Sequence, residues 1–111
     1  RNNVAYVTHP YPQKVDAPWE DKWERNWGHV ADHYPVVATE MGYVVKGQRG
    51  EHIPCIGDEK YGEAIINYLD KKGISYTVWC FDPSWAPALL DDFDFNLTRQ
   101  GEFFKRKLQM K

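Results

Sequence analysis

The feature that most constrains the fold of this chain is a threefold alternation of a short β-rich run with a segment of helical periodicity. The β-rich runs begin near residues 4, 36 and 76, and apolar residues at helical spacing follow each of them. Consecutive runs start about 30–40 residues apart, which suits one strand–helix–strand unit. We therefore expect an α/β fold with three parallel strands and helices packed on the sheet.

The first unit opens with the β-branched and aromatic run Val4–Thr8, and the prolines within His9–Pro12 end that strand. Apolar residues then recur on one helical stripe, at Trp19, Trp23, Trp27, Val30, Ala31 and Tyr34. The stripe predicts a single helix that begins after Pro18 and ends before Pro35. A tryptophan stripe also resembles a binding surface, but helical spacing favours a face that packs on the sheet.

The second unit begins with Pro35–Glu40, a continuous apolar run typical of a parallel strand that is buried on both faces. The segment Met41–Gly57 has no periodicity and is expected to form a long loop. The helix that follows has an apolar face made of Tyr61, Ala64, Ile65, Tyr68 and Leu69. Asp58 is placed to cap the start of this helix, and Gly73 is placed to end it.

The third unit begins with the β-rich run Ile74–Phe81, and the loop Asp82–Pro87 follows it. Thr98 is placed to cap a last helix, although Gly101 in its first turn lowers the helical propensity. The apolar face of this helix contains Phe103, Phe104 and Leu108. The third unit therefore repeats the order of strand, loop and helix.

The composition excludes several classes of function. The 111 residues include 14 basic and 16 acidic side chains, and the net charge of −2 gives no sign of nucleic-acid binding. No apolar stretch approaches the ~20 residues of a membrane span, and no glycine-rich phosphate-binding fingerprint follows a strand. The aromatic content of 15%, with five Trp and seven Tyr, instead suggests that sugar rings stack on aromatic faces.

The length suits one globular domain, which we take to span 1–111. Position 1 is Arg1 rather than Met, and no apolar segment typical of a signal peptide follows it. We therefore expect the chain to be a piece of a longer or processed protein. Cys55 and Cys80 allow one disulfide, but two free and partly buried thiols are the preferred interpretation.

Polar and aromatic side chains that suit catalysis gather where the predicted strands end. His9 and Tyr11 follow the first strand, Glu40 ends the second, and Trp79 lies near the end of the third. In (β/α)8 barrels the chemistry lies at the carboxyl ends of the strands. The sequence therefore predicts that these four side chains meet at one edge of the sheet.

The three strand ends read THPYP, VVATEMG and YTVWCFDPSW, and in this order they resemble the last three units of glycoside hydrolase family 5. This family contains the cellulase-type retaining enzymes. The resemblance covers essentially the whole chain, including Thr98–Gly101 at the start of the last helix. It implies a (β/α)8 TIM barrel, to which residues 1–111 contribute strands six to eight.

The resemblance also implies a role for each strand-end residue. Glu40 matches the catalytic nucleophile, and His9 and Tyr11 match the pair that lines the subsite of the cleaved bond. The Tyr11 hydroxyl would donate a hydrogen bond to the nucleophile and keep it ionised. Trp79 matches the platform under the sugar ring before the scissile bond, and the family tends to have a non-proline cis peptide after that tryptophan. Trp85, in the next loop, either stacks on a further sugar or covers the barrel rim.

The sequence departs from the family pattern in one essential respect. A retaining glycosidase needs a second carboxyl group about 5–5.5 Å from the nucleophile, and in this family it belongs to an Asn-Glu pair that ends the fourth strand. The chain contains no Asn-Glu pair and lacks the first five strands. We therefore expect a complementary N-terminal chain that supplies strands one to five, and we expect residues 1–111 alone to be molten, aggregated or dimerised.

The expected activity is that of a retaining, endoglucanase-like β-1,4-glycan hydrolase that is secreted and acts on a cellulose-like glucan. Mannan or xyloglucan remains an alternative substrate, because loops outside this chain determine the specificity. A different class of function also stays open, in which the same residues form a non-catalytic carbohydrate-binding piece or a designed half-barrel scaffold.

Two groups of polar residues have spacings that resemble metal sites, namely His29, Asp32 and His33 for zinc, and Asp92, Asp94 and Asn96 for calcium. In the zinc-like group, His29 and His33 have the spacing of a ligand pair and Asp32 lies beside them, but no third ligand on another part of the fold is expected nearby. In the calcium-like group, Leu97 stands where the loop needs its turn glycine. We therefore expect both groups to be solvated segments, and we expect no metal or cofactor in the reaction.

Overall fold

Three short parallel strands form the centre of the molecule, as expected for an α/β fold. The computed structural model describes residues 3–111. The strands are β1 (Tyr6–Thr8), β2 (Val36–Ala38) and β3 (Ser75–Tyr76), and they lie side by side in that order. Thr8 pairs with Ala38 and Ala38 pairs with Tyr76, so the three carboxyl ends lie at one level. This register brings the segments that follow the strands together.

Three α-helices connect or follow the strands, namely α1 (Glu20–Asn26), α2 (Glu59–Lys72) and α3 (Arg99–Gln109). The predicted caps are confirmed, because Asp58 accepts a hydrogen bond from the Lys60 amide and Thr98 accepts one from the Gly101 amide. Gly73 adopts a left-handed conformation and ends α2. A side chain at Gly101 would collide with the Leu89 carbonyl, which explains a glycine in the first turn of α3.

The prediction of one helix through residues 19–34 is wrong in its length. Helix α1 ends at Asn26, and a short 3-10 helix, Gly28–Asp32, follows it. The backbone of Trp27 leaves the helical conformation at this break. Gly28 lies so close to the Tyr68 side chain that a Cβ atom there would overlap the hydroxyl. The close approach of α2 therefore requires the glycine, and glycine is a weak helix former.

The first and third strands are shorter than the predicted runs Val4–Thr8 and Ile74–Phe81. Beyond Tyr76 the backbone still hydrogen-bonds to the second unit, through the Thr77 amide and Ala38 carbonyl and through the Trp79 amide and Met41 carbonyl. These bonds lie beyond the regular strand. The peptide Trp79–Cys80 is cis. The non-proline cis peptide implied by the family resemblance is therefore present.

The core lies between β2, the apolar face of α2 and the aromatic residues of α1 and α3. Its largest fully buried side chains are Trp23, Tyr43, Tyr61, Tyr68, Met41, Ile65 and Leu69. Trp23 is buried, and Trp19 and Trp27 pack partly buried against the same cluster. The interpretation of the tryptophan stripe as a packing face is confirmed.

Outside this core, the two outer strands leave apolar surface open. Tyr6 and Val7, which point to opposite sides of β1, are 48% and 60% exposed. Beside β3 and α3 lies an apolar groove of about 370 Å³, which we call the α3 groove. It is lined by Val78, Phe81, Leu89, Leu97, Phe104 and Leu108. Within residues 3–111, β1 and β3 are therefore edge strands that leave apolar surface open.

The remaining features found in the sequence occupy ordinary structural positions. Cys55 and Cys80 are both free thiols, as preferred from the sequence. His29 contacts the Glu24 carbonyl, and Asp32 pairs with Lys72. Between residues 3 and 111, no three His, Cys, Asp or Glu side chains are arranged to hold a metal ion. None of the helices in the same range has both the length and the apolar character needed to cross a membrane.

Candidate active site

The sheet register brings the predicted site residues to one edge of the molecule. His9 comes directly after β1, Glu40 lies two residues beyond β2, and Trp79 lies three residues beyond β3. Strand β2 is central, and its last residue, Ala38, is fully buried. Glu40 is therefore held at the end of the best-packed strand, with residues from both neighbours beside it.

The Tyr11 hydroxyl donates a hydrogen bond of 2.8 Å to Glu40 Oε1. This is the contact that the family resemblance implied. Tyr11 is only 7% exposed and packs with Val44, Cys55 and Trp79. Burial, and then the hydrogen bond to the carboxylate, raise the pKa of Tyr11 above its ordinary value. The phenol therefore stays protonated and remains a donor to Glu40.

His9 faces the second oxygen of the same carboxylate. Its Nδ1 atom lies 3.7 Å from Glu40 Oε2, and its Nε2 atom lies 2.9 Å from the Thr39 hydroxyl. The side chains of His9 and Glu40 are each about one-third exposed. The carboxylate is thus oriented from two sides but remains open to a ligand.

Trp79 is held in place by hydrogen bonds from both its backbone and its side chain. Its backbone amide donates to the Met41 carbonyl at 2.9 Å, and its indole Nε1 donates to the Ala86 carbonyl at 3.2 Å. Trp79 packs against the cluster of Tyr11, Val44 and Cys55 and is only partly buried. A partly exposed indole in a fixed position suits stacking against the apolar face of a sugar.

Trp85 lies in the loop after β3 and is 65% exposed. Its backbone carbonyl accepts a weak hydrogen bond from the Cys80 thiol. Its side chain is therefore exposed among the described residues, and its stacking on a sugar or its covering of a barrel rim stays a prediction.

Two residues that sequence reasoning missed also organise this edge. Thr39 contacts His9, as described above. Arg49, from the long loop, donates to the Pro83 carbonyl at 2.7 Å and to the Leu90 carbonyl at 3.4 Å. It thereby ties the loop after β2 to the loop after β3. Arg49 belongs to no recognisable motif. Thr39 lies within the strand end VVATEMG, but the motif does not reveal that its hydroxyl reaches His9.

The arrangement suits the nucleophile's part of a displacement reaction, without the group that protonates the leaving atom. A carboxylate just beyond a strand, with a hydrogen-bond donor at one oxygen and an imidazole near the other, is suited to attack an electrophilic carbon or to stabilise a cation. The adjacent indole is suited to hold a flat, partly apolar ring in place. The catalytic roles of His9, Tyr11, Glu40, Trp79 and Trp85 nevertheless remain predictions.

Known proteins share both the sequence pattern and the structure of this chain. The family model for cellulase, glycosyl hydrolase family 5, matches residues 1–84. The β-glucanase SdGluc5_26A from Saccharophagus degradans, in its native crystal form, superposes with a TM-score of 0.95 at 45% identity. That match covers 99% of this chain and 34% of the β-glucanase.

The same β-glucanase in complex with cellotetraose superposes with a TM-score of 0.94 at 44% identity, again over 99% of this chain and 34% of the other. The chain thus spans about a third of the length of the solved structures that it matches. No curated protein sequence matches it.

Proposed function

Because the chain belongs to glycosyl hydrolase family 5, the cellulase family, we propose that it is the part of a retaining β-1,4-glucan hydrolase that carries the nucleophile, Glu40. The observation that carries this proposal is the hydrogen bond from buried Tyr11 to Glu40 at the end of the central strand. A carboxylate held in this way, about one-third exposed and beside a fixed indole, has the features that a glycosidase nucleophile needs.

We propose that residues 1–111 form the C-terminal part of a single (β/α)8 barrel, with β1, β2 and β3 as strands six, seven and eight. The chain covers 34% of the matched β-glucanase, and three of eight strands is a similar share. Within residues 3–111, β1 and β3 are edge strands with open apolar surface beside them. The partner that fits this surface is a complementary N-terminal segment that carries strands one to five.

The reaction has two steps. Glu40 attacks the anomeric carbon, the glycosidic bond breaks, and a carboxyl group on the N-terminal segment protonates the leaving oxygen. A covalent glycosyl ester on Glu40 results. The same group on the N-terminal segment, now a carboxylate, then removes a proton from water. The water attacks the anomeric carbon and releases Glu40. The configuration at the anomeric carbon is retained, because it is inverted twice.

Each of the other site residues has a defined part in this scheme. Tyr11 stays protonated, so it donates to Glu40 in the free enzyme and when the carboxylate re-forms. His9 orients the second carboxylate oxygen. Trp79 supports the sugar whose anomeric carbon reacts, and the exposed Trp85 is available to a neighbouring sugar. No cofactor is required in these steps.

The proposed substrate is a cellulose-like β-glucan, since the matched β-glucanase binds cellotetraose. Mannan and xyloglucan are the variants to test beside it, because loops outside this chain shape the subsites. A polymer of this kind is too large to enter a cell, and we therefore also propose that the enzyme is secreted.

Replacement of the two comparable glutamates tests the proposal. Glu40→Gln in the complete enzyme keeps the side-chain shape but removes the nucleophile, and it should lower kcat by at least about a thousandfold while sugar binding persists. Glu59→Gln is the matched control, because Glu59 also accepts a hydrogen bond from a tyrosine, Tyr43. It should affect stability and leave turnover near the parent value. Turnover of Glu40→Gln within about tenfold of the parent would reject the assignment.

A further inference from the structure

A single imidazole ring links Thr39 to the proposed nucleophile. The Thr39 hydroxyl lies 2.9 Å from His9 Nε2, and His9 Nδ1 lies 3.7 Å from Glu40 Oε2. Thr39 is adjacent to Glu40 in the chain, but its hydroxyl reaches the carboxylate only through His9. The position of the proton on the His9 ring therefore determines whether Thr39 and Glu40 each face an N–H group or a lone pair.

The carboxylate favours one of the two neutral forms of His9. A neutral imidazole has an N–H at one nitrogen and a lone pair at the other. If Nδ1 carried the lone pair, that pair would face a negative oxygen 3.7 Å away, and the interaction would be repulsive. If Nδ1 carries the proton, the N–H dipole points towards the carboxylate and the interaction is attractive. The favoured form therefore has its proton on Nδ1 and its lone pair on Nε2.

The other titratable groups near Tyr11 and Glu40 do not oppose this form. Lys14 lies against the Tyr11 ring, with its Nζ 5.8 Å from the ring centre, and Tyr11 itself points its hydroxyl at Glu40. Burial raises the pKa of Cys55 to about 11 and also raises that of Cys80, so both thiols are neutral. Glu40 is thus the carboxylate that pairs with His9 among the described residues.

Thr39 is well placed to satisfy the lone pair on Nε2. Its hydroxyl is a rotor that can donate one hydrogen bond. Its backbone is anchored from the residue that follows β3, because the Thr77 hydroxyl donates to the Thr39 carbonyl at 2.6 Å. It also follows the fully buried Ala38. The position of the donor is therefore set by the sheet rather than by a mobile loop.

We infer that Thr39 is a positioning residue that holds His9 in the form protonated on Nδ1, so that an N–H rather than a lone pair faces Glu40. The catalytic consequence of this inference rests on the proposed function. When Thr39 donates to Nε2, both carboxylate oxygens face donors, Tyr11 on one side and His9 on the other. Without the hydroxyl, the ring is free to turn over or to change its protonated nitrogen, and Glu40 loses its second support.

The test uses the complete enzyme and two independent readouts. The nitrogen NMR chemical shifts of the His9 ring report which nitrogen is protonated, and steady-state kinetics separate kcat from KM. The parent should show the Nδ1–H form. Thr39→Val, which keeps the branched shape, should shift the His9 signals towards the other form. It should lower kcat about three- to tenfold with little change in KM, as expected for the loss of one neutral hydrogen bond.

Thr39→Ser restores the hydroxyl and should recover both the ring signals and kcat. Thr8→Val makes the same chemical change in β1 and should leave both readouts near the parent values. A parent enzyme whose His9 is protonated on Nε2, or on both nitrogens where the enzyme is active, would overturn the inference without any variant. Unchanged ring signals in Thr39→Val would overturn it as well. The ring signals can be measured without turnover. If the enzyme were inactive on β-glucan, the proposed function would be refuted, but the NMR signals would still test the inference about Thr39 and His9.

Discussion

Two tyrosine–glutamate pairs in this chain are similar in local geometry and differ in their surroundings. Tyr11 donates to Glu40 at 2.8 Å, and Tyr43 donates to Glu59 at 2.7 Å. The Glu40 and Glu59 side chains are 31% and 32% exposed. Glu59, however, begins α2 and also accepts hydrogen bonds from the Arg99 guanidinium. Glu40 lies two residues beyond β2 and faces His9 instead.

The difference distinguishes a carboxylate with a structural role from the carboxylate that we propose reacts. Arg99 and the start of α2 neutralise Glu59, and the hydrogen bond from Arg99 is the main reason why the pKa of Glu59 is lowered. Its charge is therefore used within the chain. Glu40 has donors that orient it but no arginine or lysine paired with it among the described residues, so its charge remains available to a positive transition state.

The largest difference concerns the completeness of the two sites. The Glu59 pair joins elements within this chain, whereas in the proposed function the rest of a barrel completes the Glu40 site and covers the edge strands. At ~25 cal/mol per Å², several hundred Å² of open apolar surface forfeits roughly 5–10 kcal/mol, about the whole stability of a domain. Isolated residues 1–111 should therefore lack a cooperative unfolding transition, and the complementary segment should restore one. A sharp two-state melt of the monomeric chain, measured by calorimetry, would contradict this.

Removal of the two phenol hydroxyls should separate the pairs by function. Tyr11→Phe in the complete enzyme should lower kcat by about 10–100-fold, because Glu40 loses a donor that orients it as charge develops. Tyr43→Phe should lower the melting temperature and leave kcat near the parent value. Kinetics and thermal unfolding of both variants check the contrast. Equal effects of the two changes on kcat would remove the distinction between the pairs.

The dependence of the melting temperature on pH in the acid range should also separate the two glutamates, with a smaller effect. Because Arg99 lowers the pKa of Glu59, this pair stabilises the fold above the unfolded-state pKa of about 4.3, and the contribution is lost as the pH falls through the lower folded-state pKa. In Arg99→Gln, the melting temperature should be lower near neutral pH and should fall less on acidification below about pH 4. Parallel curves for parent and variant would show that Arg99 does not neutralise Glu59.

Much of the fold follows from local signals in the sequence. Asp58, Gly73 and Thr98 mark helix ends through chemistry that acts within a few residues, and the structure places them as predicted. The break after α1 depends instead on the approach of Tyr68 to Gly28, a contact between residues forty positions apart. The shortening of β3 likewise depends on how the chain packs after Tyr76. Such long-range contacts leave no local pattern.

The candidate site divides in the same way. Glu40, His9, Tyr11 and Trp79 are found because each lies within three residues after a strand and together they match a family pattern. Thr39 acts through a side chain from a different strand, and a hydroxyl before a glutamate is common in any sequence. Its place beside His9 becomes visible only when the strand register is known.

Covalent trapping tests the central assignment, Glu40 as nucleophile, most directly. The probe is an activated cellobioside with fluorine in place of the hydroxyl next to the anomeric carbon. Fluorine destabilises the oxocarbenium-like transition states of both steps. The activated leaving group still allows the glycosyl ester on Glu40 to form, but the hydrolysis of this ester is slow, so the ester accumulates. After proteolysis of the complete enzyme, mass spectrometry should find one fluorosugar on the peptide that contains Glu40 and none on the peptide that contains Glu59. A label on any other residue, or product of inverted configuration without a label, would contradict the account.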